Sequence, residues 1–173
     1  LDTPTEGEVV INGVKTTDMS AKELAKLRNE TIGFIFQFHY LLPEFSAYEN
    51  VLMPFSIKGE KVTDEIDQRA KYLLKRVGLE KVMFNNAKNM SGGQQQRCAI
   101  ARALMNQPQI ILADEPTGNL DSDTTEQVYD LLRELNEEFG TTFIVITHDQ
   151  HVAEKCDRII EIKDGLVEMD IMT

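Results

Sequence analysis

Short continuous apolar runs alternate along the chain with stretches of helical spacing. Ile32 to Phe36, Ile110 to Ala113 and Thr142 to Thr147 are of the continuous kind, expected of strands buried on both faces. Thr63 opens a helix with Ile66, Ala70, Leu73, Leu74 and Val77 on one face and Gly78 placed to stop it. Ser91 to Met105 is a second helix, with Ala99, Ile100, Ala103 and Leu104 sharing a face. Val128, Leu131, Leu132, Leu135 and Phe139 mark a third, closed by Gly140. Earlier, Ser20-Ala21-Lys22-Glu23 is a capping box that opens a helix to about Arg28. Glu8 to Asn12 reads as a strand turning at Asn12-Gly13. At the other end, Arg158 to Ile162, the turn Asp164-Gly165 and a strand from Leu166 read as an antiparallel hairpin at the sheet edge. The alternation predicts an α/β domain with a largely parallel sheet. Between Gln37 and Met90 no strand is evident, and Gln37 to Gly59 reads as loop-rich. About residues 38–90 are therefore expected to form a helical subdomain inserted in the α/β core.

Composition changes the picture in one respect. Among 173 residues, 29 Asp and Glu outweigh 18 Lys and Arg, for a net charge of −11. Such a chain is ill suited to nucleic acid, whose non-specific binding runs on counterion release by basic side chains. An anionic leaflet would repel it too, so work at a membrane would need a protein partner. No apolar run approaches the roughly 18–20 residues of a membrane span. Cys98 and Cys156 are far apart and form no CxxC pair, so a disulfide framework or zinc site is not expected.

Two runs carry chemistry. Ile110 to Ala113 ends in Asp114-Glu115. Ligands of open α/β sheets bind at strand carboxyl ends. An Asp there can hold Mg²⁺, and the adjacent Glu can polarise a water for attack on a phosphoryl group. Alone, the pattern also fits two solvated acids. The run Met90-Ser91-Gly92-Gly93-Gln94-Gln95-Gln96-Arg97 is more specific. Ser91 is a good N-cap and Gln94 completes a capping box. Two glycines in a first turn each cost up to about 1 kcal/mol against Ala inside a helix. They make sense where an anion must approach bare backbone amides.

Ser91 to Gln94, preceded by Met90, resembles the signature motif of ATP-binding cassette (ABC) proteins, which usually have Leu at the Met90 position. In order along the chain, Gln37 resembles the Q-loop glutamine and Asp114-Glu115 the Walker B aspartate and catalytic glutamate. Gly118-Asn119-Leu120-Asp121 resembles the D-loop region, and His148 the switch histidine. His39 and His151 match no motif. The resemblance implies a P-loop NTPase (RecA-like) core and an ATPase that uses ATP and Mg²⁺. It implies Glu115 and His148 as catalytic groups. Ser91, Gly92, Gly93, Gln94 and Asp121 would be nucleotide-facing, and Gln37 and Asp114 metal-facing. The implied assembly is a head-to-tail homodimer with a second ABC ATPase subunit, with ATP held between one subunit's P-loop and the other's signature helix.

The stretch from Gln37 to Ser91 is too short for the long coiled coils of chromosome-type relatives. A transporter subunit is the implied role. Phe36 to Phe45, followed by Ser46 to Val51, is similar to the lipoprotein-releasing group, which also embraces macrolide exporters and a cell-division ATPase. In that scheme residues 37–59 dock integral-membrane permease subunits, at the cytoplasmic face of a bacterial inner membrane. A non-hydrolysing scaffold is the competing class.

The chain departs from the family pattern in one place: no G-x-x-x-x-G-K-S/T run occurs in it. Leu1 to Glu8 resembles the stretch that normally follows the P-loop helix. The expectation is that the native protein carries that region upstream and that this sequence is N-terminally truncated. The chain alone should then bind ATP poorly and be inactive, because a P-loop supplies amides and a Lys to the phosphates.

Overall fold

The computed structural model describes residues 4–173; Leu1, Asp2 and Thr3, which begin the stretch resembling the P-loop's sequel, lie outside it. A two-residue hairpin, β1 (Val10–Ile11) and β2 (Val14–Lys15), turns at Asn12-Gly13 as expected, both residues at positive φ. Helix α1 (Ala21–Thr31) starts at Ser20 with the full capping box and runs three residues past the expected end. It leads directly into β3 (Ile32–Phe36). The strands β4 (Ile110–Asp114) and β5 (Thr142–Ile146) join β3 in a parallel sheet of order β3-β4-β5.

The segment between β3 and β4 differs from the sequence reading in one element. Inside the supposedly loop-rich stretch lies α2 (Ala47–Ser56). Its signal is a capping box, Ser46 with Glu49, masked by Pro54 in the last turn. A proline that late removes a single intrahelical bond, which the buried helix tolerates. Buried Asn50 fastens the preceding loop to α2: its amide donates to the Leu42, Phe45 and Ser46 carbonyls while its Oδ1 accepts from the Leu42 amide. Helix α3 (Asp64–Arg76) starts at Thr63, and two short 3-10 turns lead to α4 (Gly92–Leu104).

Helix α4 is central because one whole face of it is buried: Cys98, Ala99, Ile100, Ala101, Ala103 and Leu104. It crosses β3 so closely that a Cβ on Gly33 would lie 2.5 Å from the Ala103 carbonyl oxygen. One apolar core joins Ile35, Ile111 and Ala113 of the sheet to Val51, Leu73, Leu74, Leu104 and Leu135 of the helices. Helix α5 (Ser122–Phe139) ends at Gly140 in the left-handed conformation, and the short α6 (Gln150–Ala153) follows β5.

The tail forms β6 (Arg158–Lys163) and β7 (Leu166–Met172), antiparallel as expected. It does not extend the parallel sheet. Among the described residues β6 pairs only with β7, and β5 only with β4. Strand β6 pairs with β7 along one edge, and Ile144 and Ile146 of β5 stay about half exposed.

The approach of α4 to β3 sets a direct test. Gly33→Ala should destabilise the fold by about 1–3 kcal/mol, because the obstacle is backbone and cannot swing away. Urea unfolding with an unchanged m-value should show it; wild-type stability would mean that α4 sits farther from β3.

Candidate nucleotide site at the ends of three strands

The three parallel strands end level. Phe36 pairs with Asp114, and Asp114 with Ile146, across the sheet. The residues that follow them, Gln37, Glu115 and Thr147-His148, are therefore placed side by side by register alone. Asp114 is exposed at that edge, and Gln37 next to it is half-buried.

Glu115 is held from the β5 side. Its amide donates to the Ile146 carbonyl at 3.0 Å. Its Oε1 lies 2.5 Å from His148 Nδ1 and also accepts from the His148 amide at 3.2 Å. Thr147 Oγ1 donates to Oε2 at 3.5 Å. The backbone of Glu115 is left-handed, with φ +43°, which is uncommon for a residue with a Cβ. His148 is 89% exposed, and the Glu115 hydrogen bond, then its charge, raises the imidazole pKa above the usual value.

Gln37 closes the opposite side. Its carbonyl accepts from Asn119 Nδ2 at 3.1 Å, and its Nε2 donates to Asn119 Oδ1 at 3.5 Å. Its amide also covers Gly118, where a Cβ would come within 2.7 Å of Gln37 Nε2. The next residues, His39 and Tyr40, have φ of +32° and +46°. Arg102 of α4 donates to both of their carbonyls, at 2.5 and 2.6 Å. Burial, with the Arg102 charge beside it, holds the pKa of His39 below its ordinary value.

The signature segment caps α4 as its spacing predicts. Ser91 Oγ accepts from the Gln94 amide at 3.3 Å, and Gln94 Oε1 accepts from the Ser91 amide at 3.0 Å. With those two amides engaged, the first-turn amides of Gly92 and Gly93 are the ones without an intrahelical acceptor. Ser91 and Gly92 are exposed. Asp121 caps α5: its two oxygens accept from the Thr124 amide and hydroxyl, at 2.9 and 2.8 Å. Those bonds hold its pKa below the usual carboxylate range.

The structure thus brings Gln37, Asp114, Glu115 and His148 to one edge. It places Ser91, Gly92, Gly93 and Gln94 at the end of a separate helix, and Asp121 at the start of α5. Thr147 was missed by the sequence reading; a hydroxyl one residue before His148 was its only signal. Among the aromatics beside this edge, Phe36 stacks on Phe34 and meets Tyr40 edge-on, whereas Phe38 and Tyr40 are about two-thirds exposed.

A carboxylate paired with a histidine at the carboxyl ends of parallel strands stands where open α/β sheets bind ligands. The family model described as ABC transporter matches residues 1–118. The chain is 49% identical over 167 residues to the lipoprotein-releasing system ATP-binding protein LolD 1 of Rhodopseudomonas palustris, covering 96% of this chain and 74% of that protein. It is 49% identical over 170 residues to LolD of Idiomarina loihiensis, with 98% and 74% covered. A solved dimer of the ATP-binding cassette MJ0796, bound to ADP and Pi, superposes with a TM-score of 0.86 at 48% identity, covering 99% of this chain and 75% of that one. The chain belongs to the ABC transporter family; it is an ATP-binding domain of the ABC ATPase class. Among the described residues no helix is long and apolar enough to cross a membrane.

The Glu115–His148 contact carries a pH signature. A raised folded pKa means the contact contributes fully below the ordinary histidine value and fades as pH rises through the raised one. In Glu115→Gln the His148 titration followed by NMR should move down toward about 6.5. An unmoved midpoint would show that the two side chains do not pair in solution.

Proposed function

We propose that this chain is the ATP-hydrolysing motor subunit of a transporter complex that releases lipoproteins from a bacterial inner membrane. The names of the LolD relatives, at about half identity over nearly the whole chain, support the cargo class. The grouping of Glu115 with His148 at the strand ends carries the chemistry.

In this reading Glu115 orients and activates the attacking water. Its carboxylate is fixed at both oxygens by Thr147 and His148, so little reorganisation remains at the moment of attack. His148, exposed and on the same edge, reaches toward the γ-phosphate. Ser91 with the Gly92 and Gly93 amides meets the phosphate held by a second subunit, where a helix N-terminus favours negative charge. Gln94 keeps that helix end formed, and Asp121 holds the start of α5 beside it.

Asp114 and Gln37 offer two hard oxygen donors at neighbouring strand ends. Such a sparse donor set suits Mg²⁺, which keeps waters and takes further oxygens from phosphates. When bound, that ion neutralises phosphate charge. The assembly we propose is a head-to-tail homodimer, with residues 38–90 as a helical subdomain. A groove of about 620 Å³, lined by Phe36, Tyr40, Met53, Pro54, Ile57 and Arg102, supports docking of a permease's cytoplasmic helix near residues 37–59. The chain would then sit at the cytoplasmic face of the membrane through that permease.

Substituting Glu115 tests the chemistry. Glu115→Gln in the protein with its permease should lower ATP turnover by about 10²–10⁴-fold while ATP still binds. Wild-type turnover would remove Glu115 from the mechanism. Release of a lipidated protein from proteoliposomes tests the cargo; turnover stimulated by another class of substrate alone would sink that part.

A further inference from the structure

Gln96 has no accessible surface, which makes it the most completely buried polar side chain among the described residues. It lies on the apolar face of α4, one turn before Ile100 and two before Ala103. Leu or Met would fill such a position without polar cost. Burying an amide with one group unpaired costs about 1–3 kcal/mol, and Gln96 Oε1 has no partner among the described residues. Its Nε2, however, donates to the Pro116 carbonyl at 2.5 Å.

That carbonyl follows the strained residue directly. The left-handed backbone of Glu115 is disfavoured by its Cβ, and the proline after it restricts Glu115 further. Two anchors bracket the Glu115-Pro116 unit: the Glu115 amide on the Ile146 carbonyl, and the Pro116 carbonyl on Gln96. The first comes from β5 and the second from α4, so the unit cannot relax without breaking one of them.

Helix α4 touches the same loop, and helix α5 that follows it, at further points. Gly92 faces Leu120, a Cβ on Gly93 would come within 2.9 Å of the Thr124 methyl, and Arg97 donates to Gln127. The end of α4 that offers its amides and the loop that carries Glu115 are thus joined within two helical turns, with Gln96 as a fully buried polar link.

We propose that Gln96 is a positioning residue: through the Pro116 carbonyl it holds Glu115 in its strained, productive conformation, and it ties that conformation to the signature end of α4. The inference rests on the reading of Glu115 as the group that acts on water. In a head-to-tail dimer it gives each chain a rigid link between the phosphate its α4 faces and the glutamate that serves its own site.

The test compares Gln96→Met, which keeps length but loses the donor, with Gln96→Glu. A buried carboxyl stays protonated, so Gln96→Glu retains an O–H that can reach Pro116. Gln96→Met should lose about 10- to 100-fold in kcat, the scale of a misplaced reacting group, with ATP affinity within about threefold of wild type. Gln96→Glu should recover turnover relative to it, and the backbone amide signal of Glu115 in NMR should shift in Gln96→Met. Wild-type kcat in Gln96→Met, or an unmoved Glu115 signal, overturns the inference. So does equal loss of ATP affinity and kcat in both variants, which would make Gln96 merely structural. Glu115→Gln run in parallel separates the two readings. If it keeps wild-type turnover, the role of Glu115 falls, and the NMR signal alone decides the link to Gln96.

Discussion

The site depends on the in-register parallel pairing of β3, β4 and β5. Parallel strands align their carboxyl ends on one edge, and here Phe36, Asp114 and Ile146 stand in one row. Three segments remote in sequence therefore deliver Gln37, Glu115 and His148 to the same place. A slip of one residue in β4 would turn its apolar side chains to the opposite faces and move both carboxylates out of line. The close fit of α4 over Gly33 helps to fix the layer against which that register forms.

What the strands bring together, the loops beyond them keep in place by cross-bonding. The loop after β4 is held on one side by Gln37 through Asn119 and on another by Gln96 through Pro116, while its first residue is held by Thr147 and His148. Arg102, one turn and a half along α4 from Gln96, fixes the positive-φ segment at His39 and Tyr40. The left-handed residues near the site, Glu115, His39 and Tyr40, are thus each tied to a neighbouring strand or helix. Strain kept in this way is what a preorganised site requires.

Legibility followed the range of the interaction. Capping boxes, continuous apolar runs and glycine stops are local, and Ser20, Ser91, Thr63 and Gly140 act as their spacing predicts. Helix α2 escaped notice because Pro54 spoke against it, although the Ser46–Glu49 box spoke for it. The candidate site residues could be named in order from motifs, but nothing in their spacing foretold that Asp121 would spend both oxygens on Thr124. The antiparallel pairing of the tail was visible from its turn; its separation from the parallel sheet was not.

The sequence by itself determined the alternation of strands and helices, the caps, the acidic surface, and the motifs that mark an ABC ATPase. These follow from periodicity and short-range chemistry, which a linear chain displays openly. Only the tertiary structure decided that Glu115 adopts a left-handed backbone, that Thr147 and His148 grip its carboxylate, and that Gln96 reaches Pro116 from beneath. Those bonds join residues about twenty to thirty positions apart, and they exist because the packing of α4 and the register of the sheet bring those segments side by side.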